Sequence, residues 1–95
     1  MLDRLKEAEK RYIALEEELA SPDVFSNQER FTSLMKDYKT LSPVIEKYRE
    51  YVKVADANAQ AREMLDEALD AEMREMVTEE LKDTREQMDV LLDEL

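Results

Sequence analysis

Residues 41–69 read LSPVIEKYREYVKVADANAQAREMLDEAL, and the rest of the chain is predicted to pack around this stretch. Ser42 and Pro43 indicate a helix start, because a serine cap accepts from free backbone N–H groups and a proline at the first helical position loses no hydrogen bond. An apolar face follows at helical spacing, and its members are Val44, Ile45, Tyr48, Tyr51, Val52 and Ala55. Since no glycine or proline interrupts the chain before Asp70, one long helix is predicted over 41–69.

The apolar face of this long helix is thin in the middle. Small residues alternate there with polar ones, and they are Ala55, Ala57, Ala59 and Ala61. Larger apolar residues return at Met64 and Leu65, followed by Ala68 and Leu69. Small side chains let two helix backbones approach each other, so we interpret the thin region as a close helix contact; a lightly packed waist is the alternative.

Two helices are predicted before the long one. The first carries a heptad-like seam of Leu5, Ala8, Tyr12, Leu15 and Leu19. It ends at Ser21-Pro22-Asp23, because a proline pushes the preceding residue out of the helical region. The second helix begins at a capping box, with Ser26 at the cap and Glu29 three residues later, and ends near Thr40. Its apolar face comprises Phe31, Leu34, Met35, Tyr38 and Leu41.

A fourth helix is predicted after the cap residue Asp70. Its seam comprises Val77, Leu81, Thr84, Met88, Leu91 and Leu95. The apolar periodicity continues to the last residue, so the chain is expected to end inside a helix or at its end. Leu91, Leu92 and Leu95 are therefore predicted to be incompletely covered and available for self-association. A frayed, solvated helix end is the alternative interpretation.

These patterns predict an all-α fold, namely an antiparallel helical bundle or coiled-coil-like hairpin of three long helices and one shorter helix. The composition agrees, because the chain has no glycine, two prolines and 41% charged residues. A length of 95 residues is enough for one domain, over 1–95, with a modest core.

The composition also excludes several chemistries. Without glycine, the chain has no phosphate-cradling loop and no calcium loop of the usual kind. Without histidine or cysteine, it has no standard zinc site and no histidine-based triad, so neither a metal nor a cofactor is expected. Clustered glutamates such as Glu79-Glu80 are interpreted as solvated faces rather than an acid–base pair. The sequence has no transmembrane run and no signal peptide, which is compatible with a cytoplasmic location.

Charge is unevenly distributed along the chain, whose net charge is −11. Residues 70–95 contain ten acidic and three basic residues, whereas residues 30–53 contain six basic and three acidic ones. The basic residues of this segment are the candidate partner-contact residues Arg30, Lys36, Lys39, Lys47, Arg49 and Lys53. Ordinary solvent-facing charge is the alternative. The acidic fourth helix is expected to be turned away from such a contact, and the four tyrosines are predicted to pack in the core rather than stack on bases.

Several segments resemble the N-terminal domain of the bacterial peptide chain release factor 1 family. They are MLDRLK at 1–6, SPDV at 21–24, NQERF at 27–31, YREY at 48–51, LDAEMREMV at 69–77 and EEL at 79–81. The LDAEMREMV segment is similar to the family's Asp-x-Glu-Met-Arg-Glu-Met signature. The release factor 2 family usually carries a tryptophan beside the proline of the first turn, whereas Val24 and Phe25 stand here and the chain has no tryptophan. The resemblance is therefore to release factor 1.

The resemblance implies a role in translation termination at the stop codons UAA and UAG. In the family, a Gly-Gly-Gln loop and a Pro-x-Thr-type codon-reading tripeptide lie in later domains, and neither occurs in this chain. No catalytic residue is therefore assigned, and the 95 residues are not expected to be an enzyme. The expected partners are the ribosome, near the stalk base of the large subunit, and the GTPase that recycles the factor. The alternative is a stand-alone acidic coiled-coil module unrelated to translation, and a glycine-rich catalytic domain after Leu95 would argue against it.

Overall fold

Three α-helices and one short 3₁₀ helix make up the part of the chain that the computed structural model describes, which is residues 2–67 and 70–95. Helix α1 spans Leu2–Ala20, the 3₁₀ helix spans Pro22–Ser26, α2 spans Gln28–Asp66 and α3 spans Ala71–Glu94. The all-α class is therefore confirmed. The predicted contributions of Ala68 and Leu69 to the long helix lie outside the described residues. Two compact units are formed, Met1–Glu46 and Lys47–Leu95.

In the unit Met1–Glu46, α1 and the first part of α2 form an antiparallel pair. Tyr12 stacks on Tyr38 with ring centroids 4.7 Å apart, and its hydroxyl shares a hydrogen bond of 3.1 Å with the Ser42 hydroxyl. Further along α1, Glu18 pairs with Arg30, which lies earlier in α2. Leu15, Val24 and Leu34 form a buried cluster of this unit, with Leu19, Phe31, Tyr38 and Leu41 packed against it, and Leu5, Tyr12 and Ile45 are buried as well.

In the unit Lys47–Leu95, the second part of α2 pairs with α3, also in antiparallel orientation. Lys47 forms an ion pair with Glu94 near the end of α3, while Asn58 contacts Thr84 earlier in that helix. Among the described residues of this unit, the buried ones are Tyr48, Tyr51, Asn58, Ala61, Val77, Thr84 and Leu91. Of the alanines in the thin region of the apolar face, Ala61 is buried whereas Ala59 is exposed.

The predicted helix boundary at 41–43 is wrong, because α2 is one helix of 39 residues with Pro43 inside it. Ser42 does not cap a helix start. Its hydroxyl instead donates to the Tyr38 carbonyl at 2.8 Å, within the same helix. Pro43 is exposed, while the seam residues on either side of it, Leu41 and Ile45, are half-buried and buried. The apolar periodicity is thus continuous through the proline, and packing keeps the chain helical there.

The predicted cap of the second helix is displaced by one residue. Asn27, not Ser26, accepts from the helix, through a bond of 3.1 Å from the Arg30 backbone N–H to its side-chain oxygen. The Ser26 hydroxyl donates to the Asp23 carbonyl and closes the preceding 3₁₀ helix. The other predicted cap is confirmed, since the Asp70 carboxylate accepts from the Met73 N–H at 2.9 Å. The end of α1 at Ala20, before Ser21-Pro22, is confirmed as well.

The prediction that Leu91 is incompletely covered is wrong. Leu91 is only 6% exposed, because it lies on the face of α3 that packs within its own unit. Leu92 and Leu95 are half-buried. Incomplete coverage is thus confirmed for Leu92 and Leu95 but not for Leu91, and self-association through the three leucines stays a prediction.

Replacing Pro43 with alanine tests the continuous helix. Alanine restores the N–H that a proline cannot donate to the Lys39 carbonyl, so we expect Pro43→Ala to raise the free energy of unfolding by about 2 kcal/mol. Urea unfolding followed by far-UV circular dichroism measures this change. Pro22 begins the 3₁₀ helix, where no such bond is missing, and Pro22→Ala is the matched control with no expected gain. A loss of stability in Pro43→Ala would instead indicate a helix that starts at Pro43.

Candidate functional site

All six candidate contact residues lie on α2. Arg30, Lys36 and Lys39 belong to the unit Met1–Glu46, and the other three, Lys47, Arg49 and Lys53, belong to the unit Lys47–Leu95. The structure therefore assigns three basic residues to each unit.

Arg30, Lys36 and Lys39 differ in how much of their positive charge is compensated by acidic neighbours. The Arg30 guanidinium lies 3.7 Å from the Glu18 carboxylate, and both side chains are substantially exposed, so this pair is weak. Lys36 and Lys39 are exposed and make no ion pair with any residue that the structure describes. Being three residues apart on a helix, they lie on neighbouring positions of its surface. The intervening Asp37 is paired with Arg11 at 3.5 Å, which leaves Lys36 and Lys39 as a small basic patch.

Lys47, Arg49 and Lys53 differ from one another in the same respect. Lys47 forms an ion pair with Glu94 of α3, and both side chains are partly exposed. This contact joins the basic segment to the acidic last helix within one unit, and the expectation that this helix is turned away from a partner stays a prediction. Arg49 and Lys53 are exposed, and within residues 2–67 and 70–95 Lys53 has no ion-pair partner. Lys36, Lys39 and Lys53 are thus the members of the set best placed to meet an anionic partner.

The tyrosines are part of the packing, as predicted. Tyr12, Tyr48 and Tyr51 are buried, and Tyr38 is half-buried against the Tyr12 ring at an interplanar angle of 9°. Stacking between two parallel aromatic rings contributes about 1 kcal/mol beyond the area that is buried. Three of the four rings are therefore removed from solvent and are not available to stack on bases.

A buried polar cluster surrounds Asn58 and was not predicted from the sequence. This side chain is 3% exposed, and its amide nitrogen donates to the Thr84 hydroxyl at 2.8 Å and to the Leu81 carbonyl at 3.4 Å. Its oxygen accepts two bonds from the Arg62 guanidinium, at 3.0 and 2.6 Å. The signal was present, because Asn58 is three residues from Ala55 and from Ala61 and so shares their face of the helix.

The described part of the chain offers little for metal or membrane chemistry. Within residues 2–67 and 70–95, no three potential metal-ligating side chains are close enough together to hold an ion. None of the helices in those ranges is long and apolar enough to cross a membrane.

Comparison with known proteins gives a match over nearly the whole chain. A family model described as the PCRF domain matches residues 8–95. Proteins named peptide chain release factor 1 match over 95 residues, which is 100% of this chain: that of Caldicellulosiruptor saccharolyticus is 34% identical, that of Bacillus subtilis 37% and that of Enterococcus faecalis 41%. The chain spans 27% of the length of these curated relatives. No solved structure matches it significantly.

Replacing Thr84 with valine tests the buried cluster. Valine keeps the shape of threonine but removes the acceptor of the Asn58 amide, so we expect the free energy of unfolding to fall by about 1–3 kcal/mol. The control is Thr78→Val, because Thr78 lies on the same helix and donates to the carbonyl four residues earlier but is exposed; a change within about 0.5 kcal/mol is expected. Equal effects of the two substitutions in denaturant unfolding would show that the Asn58–Thr84 bond contributes nothing.

Proposed function

The chain belongs to the PCRF domain family, and from this premise we propose that it forms the N-terminal helical domain of a peptide chain release factor acting in translation termination. The observation that carries the proposal is the match to proteins named peptide chain release factor 1, which extends over 95 residues at 34% to 41% identity. The resemblance noted in the sequence is confirmed by these relatives. The all-α fold is compatible with the same assignment.

The proposed termination activity is specific for UAA and UAG and requires groups that these 95 residues do not contain. A Gly-Gly-Gln loop needs glycine, and the chain has none. Since the chain spans 27% of the relatives' length, the proposal places peptide release and codon reading in the remainder of the whole protein. The contribution of this domain is then binding rather than catalysis.

The proposed partner is the ribosome, in the factor-binding region near the stalk base of the large subunit, in the cytoplasm. The GTPase that recycles the factor is the second proposed partner. A chain with net charge −11 is repelled by RNA over most of its surface, so contact with the ribosome must be local. The candidate residues Arg30, Lys36, Lys39, Lys47, Arg49 and Lys53 supply the positive charge, and Lys36, Lys39 and Lys53 do so without an ion-pair partner among the described residues.

A peptide-release assay tests the termination role. Ribosomes with peptidyl-tRNA and UAA, UAG or UGA in the decoding site are mixed with the full-length factor or with the 95-residue chain. We expect the full-length factor to release peptide at UAA and UAG but not at UGA, and the 95-residue chain to release none at any codon. Release by the isolated chain, or no release by the full-length factor, would contradict the proposal.

Charge reversal tests the contact residues separately from the termination role. The full-length factor carrying Lys36→Glu, Lys39→Glu and Lys53→Glu is expected to bind ribosomes more weakly. The slope of log affinity against log salt concentration is expected to be shallower by about 2, because three phosphate contacts are lost. Lys6→Glu, Arg74→Glu and Lys82→Glu together make the control, since they change exposed residues and alter the net charge equally. If both triple variants bind alike, the basic segment is only a solvated face.

A further inference from the structure

A groove with two arginines in its lining lies between α2 and α3 in the unit Lys47–Leu95. It encloses about 590 Å³ and is lined by Asn58, Arg62, Arg85, Met88, Asp89 and Leu92. Residues 47–95 contain fifteen acidic and seven basic residues, so two arginines facing one acid reverse the local sign of charge. Another groove of this unit, which Lys47 and Val90 line, has four acidic side chains and one lysine. The Arg62–Arg85 groove is therefore chemically distinct from its surroundings.

Arg62 is held in place from inside the protein. Asn58, which is 3% exposed, is fixed by the Thr84 hydroxyl and accepts from two of the Arg62 nitrogens. An arginine carries five N–H donors in a planar fork, so three remain for another acceptor. Because the guanidinium is already oriented, less conformational entropy is lost when it binds a ligand. The buried Asn58 and Thr84 side chains thus fix the orientation of the Arg62 guanidinium at the protein surface.

Arg85 supplies the second charge and is not neutralised. It is exposed, and it makes no ion pair with a residue in the described ranges, although Asp89 lies one turn further along α3. Met88 and Leu92 are half-buried beside it. A methionine side chain adapts its shape to different apolar partners. The groove therefore offers two arginine forks next to a small apolar surface.

We propose that this groove binds a protein partner through a segment in which a glutamate or aspartate stands next to an aliphatic side chain. Arginine and carboxylate form bidentate, charge-assisted hydrogen bonds, while Met88 and Leu92 cover the aliphatic group. RNA fits the groove less well, because a phosphate backbone would pass Asp89 and the surrounding acids and would leave the apolar surface without a partner. The proposal is independent of the termination role, so either can fail alone.

The probe is a short, capped helical peptide with glutamates four residues apart flanking a leucine, titrated into the isotope-labelled 95-residue chain. We expect NMR shifts at the Arg62 and Arg85 Nε–H groups and the Met88 methyl group. Arg85→Glu is expected to weaken binding at least about tenfold, the loss of one charge-assisted pair. Arg62→Lys is expected to weaken it several-fold, because lysine keeps the charge but not the fork that Asn58 orients. Arg74→Glu, which changes an exposed base of α3 outside the groove, is expected to bind as the parent does.

Two further titrations test which kind of molecule binds in the Arg62–Arg85 groove. The same peptide with glutamine in place of glutamate should bind far more weakly, and a single-stranded oligouridylate should leave the three reporter signals unshifted. Equal binding of the glutamine peptide, equal binding by Arg85→Glu, or shifts produced by the RNA would overturn the proposal. Self-association of the parent chain that Arg85→Glu abolishes would overturn it too, because the occupant would then be a second copy. Circular dichroism verifies that each variant is folded, and Arg85→Gln replaces Arg85→Glu if the latter is not.

Discussion

The unit Met1–Glu46 depends on α2 remaining helical through Pro43, because Leu34 before the proline and Ile45 after it are both buried in this unit. A proline inside a helix costs about 3 kcal/mol, whereas full burial of one large apolar side chain contributes about 1.5–3 kcal/mol. Burial of Ile45, which is 1% exposed, therefore offsets much of this cost. The exposed position of Pro43 keeps its ring out of the packed seam.

The buried Asn58 has a different role from the apolar core. The seam of α2 is poor in large side chains between Ala55 and Ala61, so apolar packing there distinguishes poorly between one alignment of the two helices and another. An asparagine that is buried without a partner is unfavourable by about 1–3 kcal/mol, and Thr84 satisfies it in one alignment only. The Asn58–Thr84 bond thus selects the alignment of α2 and α3. Through its oxygen, the same side chain also fixes Arg62 at the surface.

The sequence was sufficient for the helical class, the end of α1, the Asp70 cap and most of the buried seam, because each depends on local periodicity or on a single turn of chain. It failed at Pro43, where local propensity indicated a boundary and tertiary packing overrode it. It failed at Ser26, because a serine and an asparagine stand side by side and only the backbone geometry decides which one caps. It missed Asn58, although this residue shares the helix face of Ala55 and Ala61, because only apolar residues were counted on that face. Leu91 was misjudged because burial near a chain end depends on what packs opposite.

Lys36 and Lys39 of one proposed contact surface and the arginines of the Arg62–Arg85 groove suit different anionic groups. Lysine is a compact, flexible point charge, which suits phosphates that are met in varied geometry, whereas arginine presents a planar fork that matches a carboxylate. Lys36 and Lys39 are exposed and without an ion pair to the described residues, while Arg62 is oriented by a buried amide. Electrostatic attraction at physiological salt decays over about 8 Å, so on a strongly acidic domain each of these basic groups acts only on what lies directly against it. A net charge of −11 therefore does not prevent anionic partners from binding, but it limits them to the few places where the local charge is reversed.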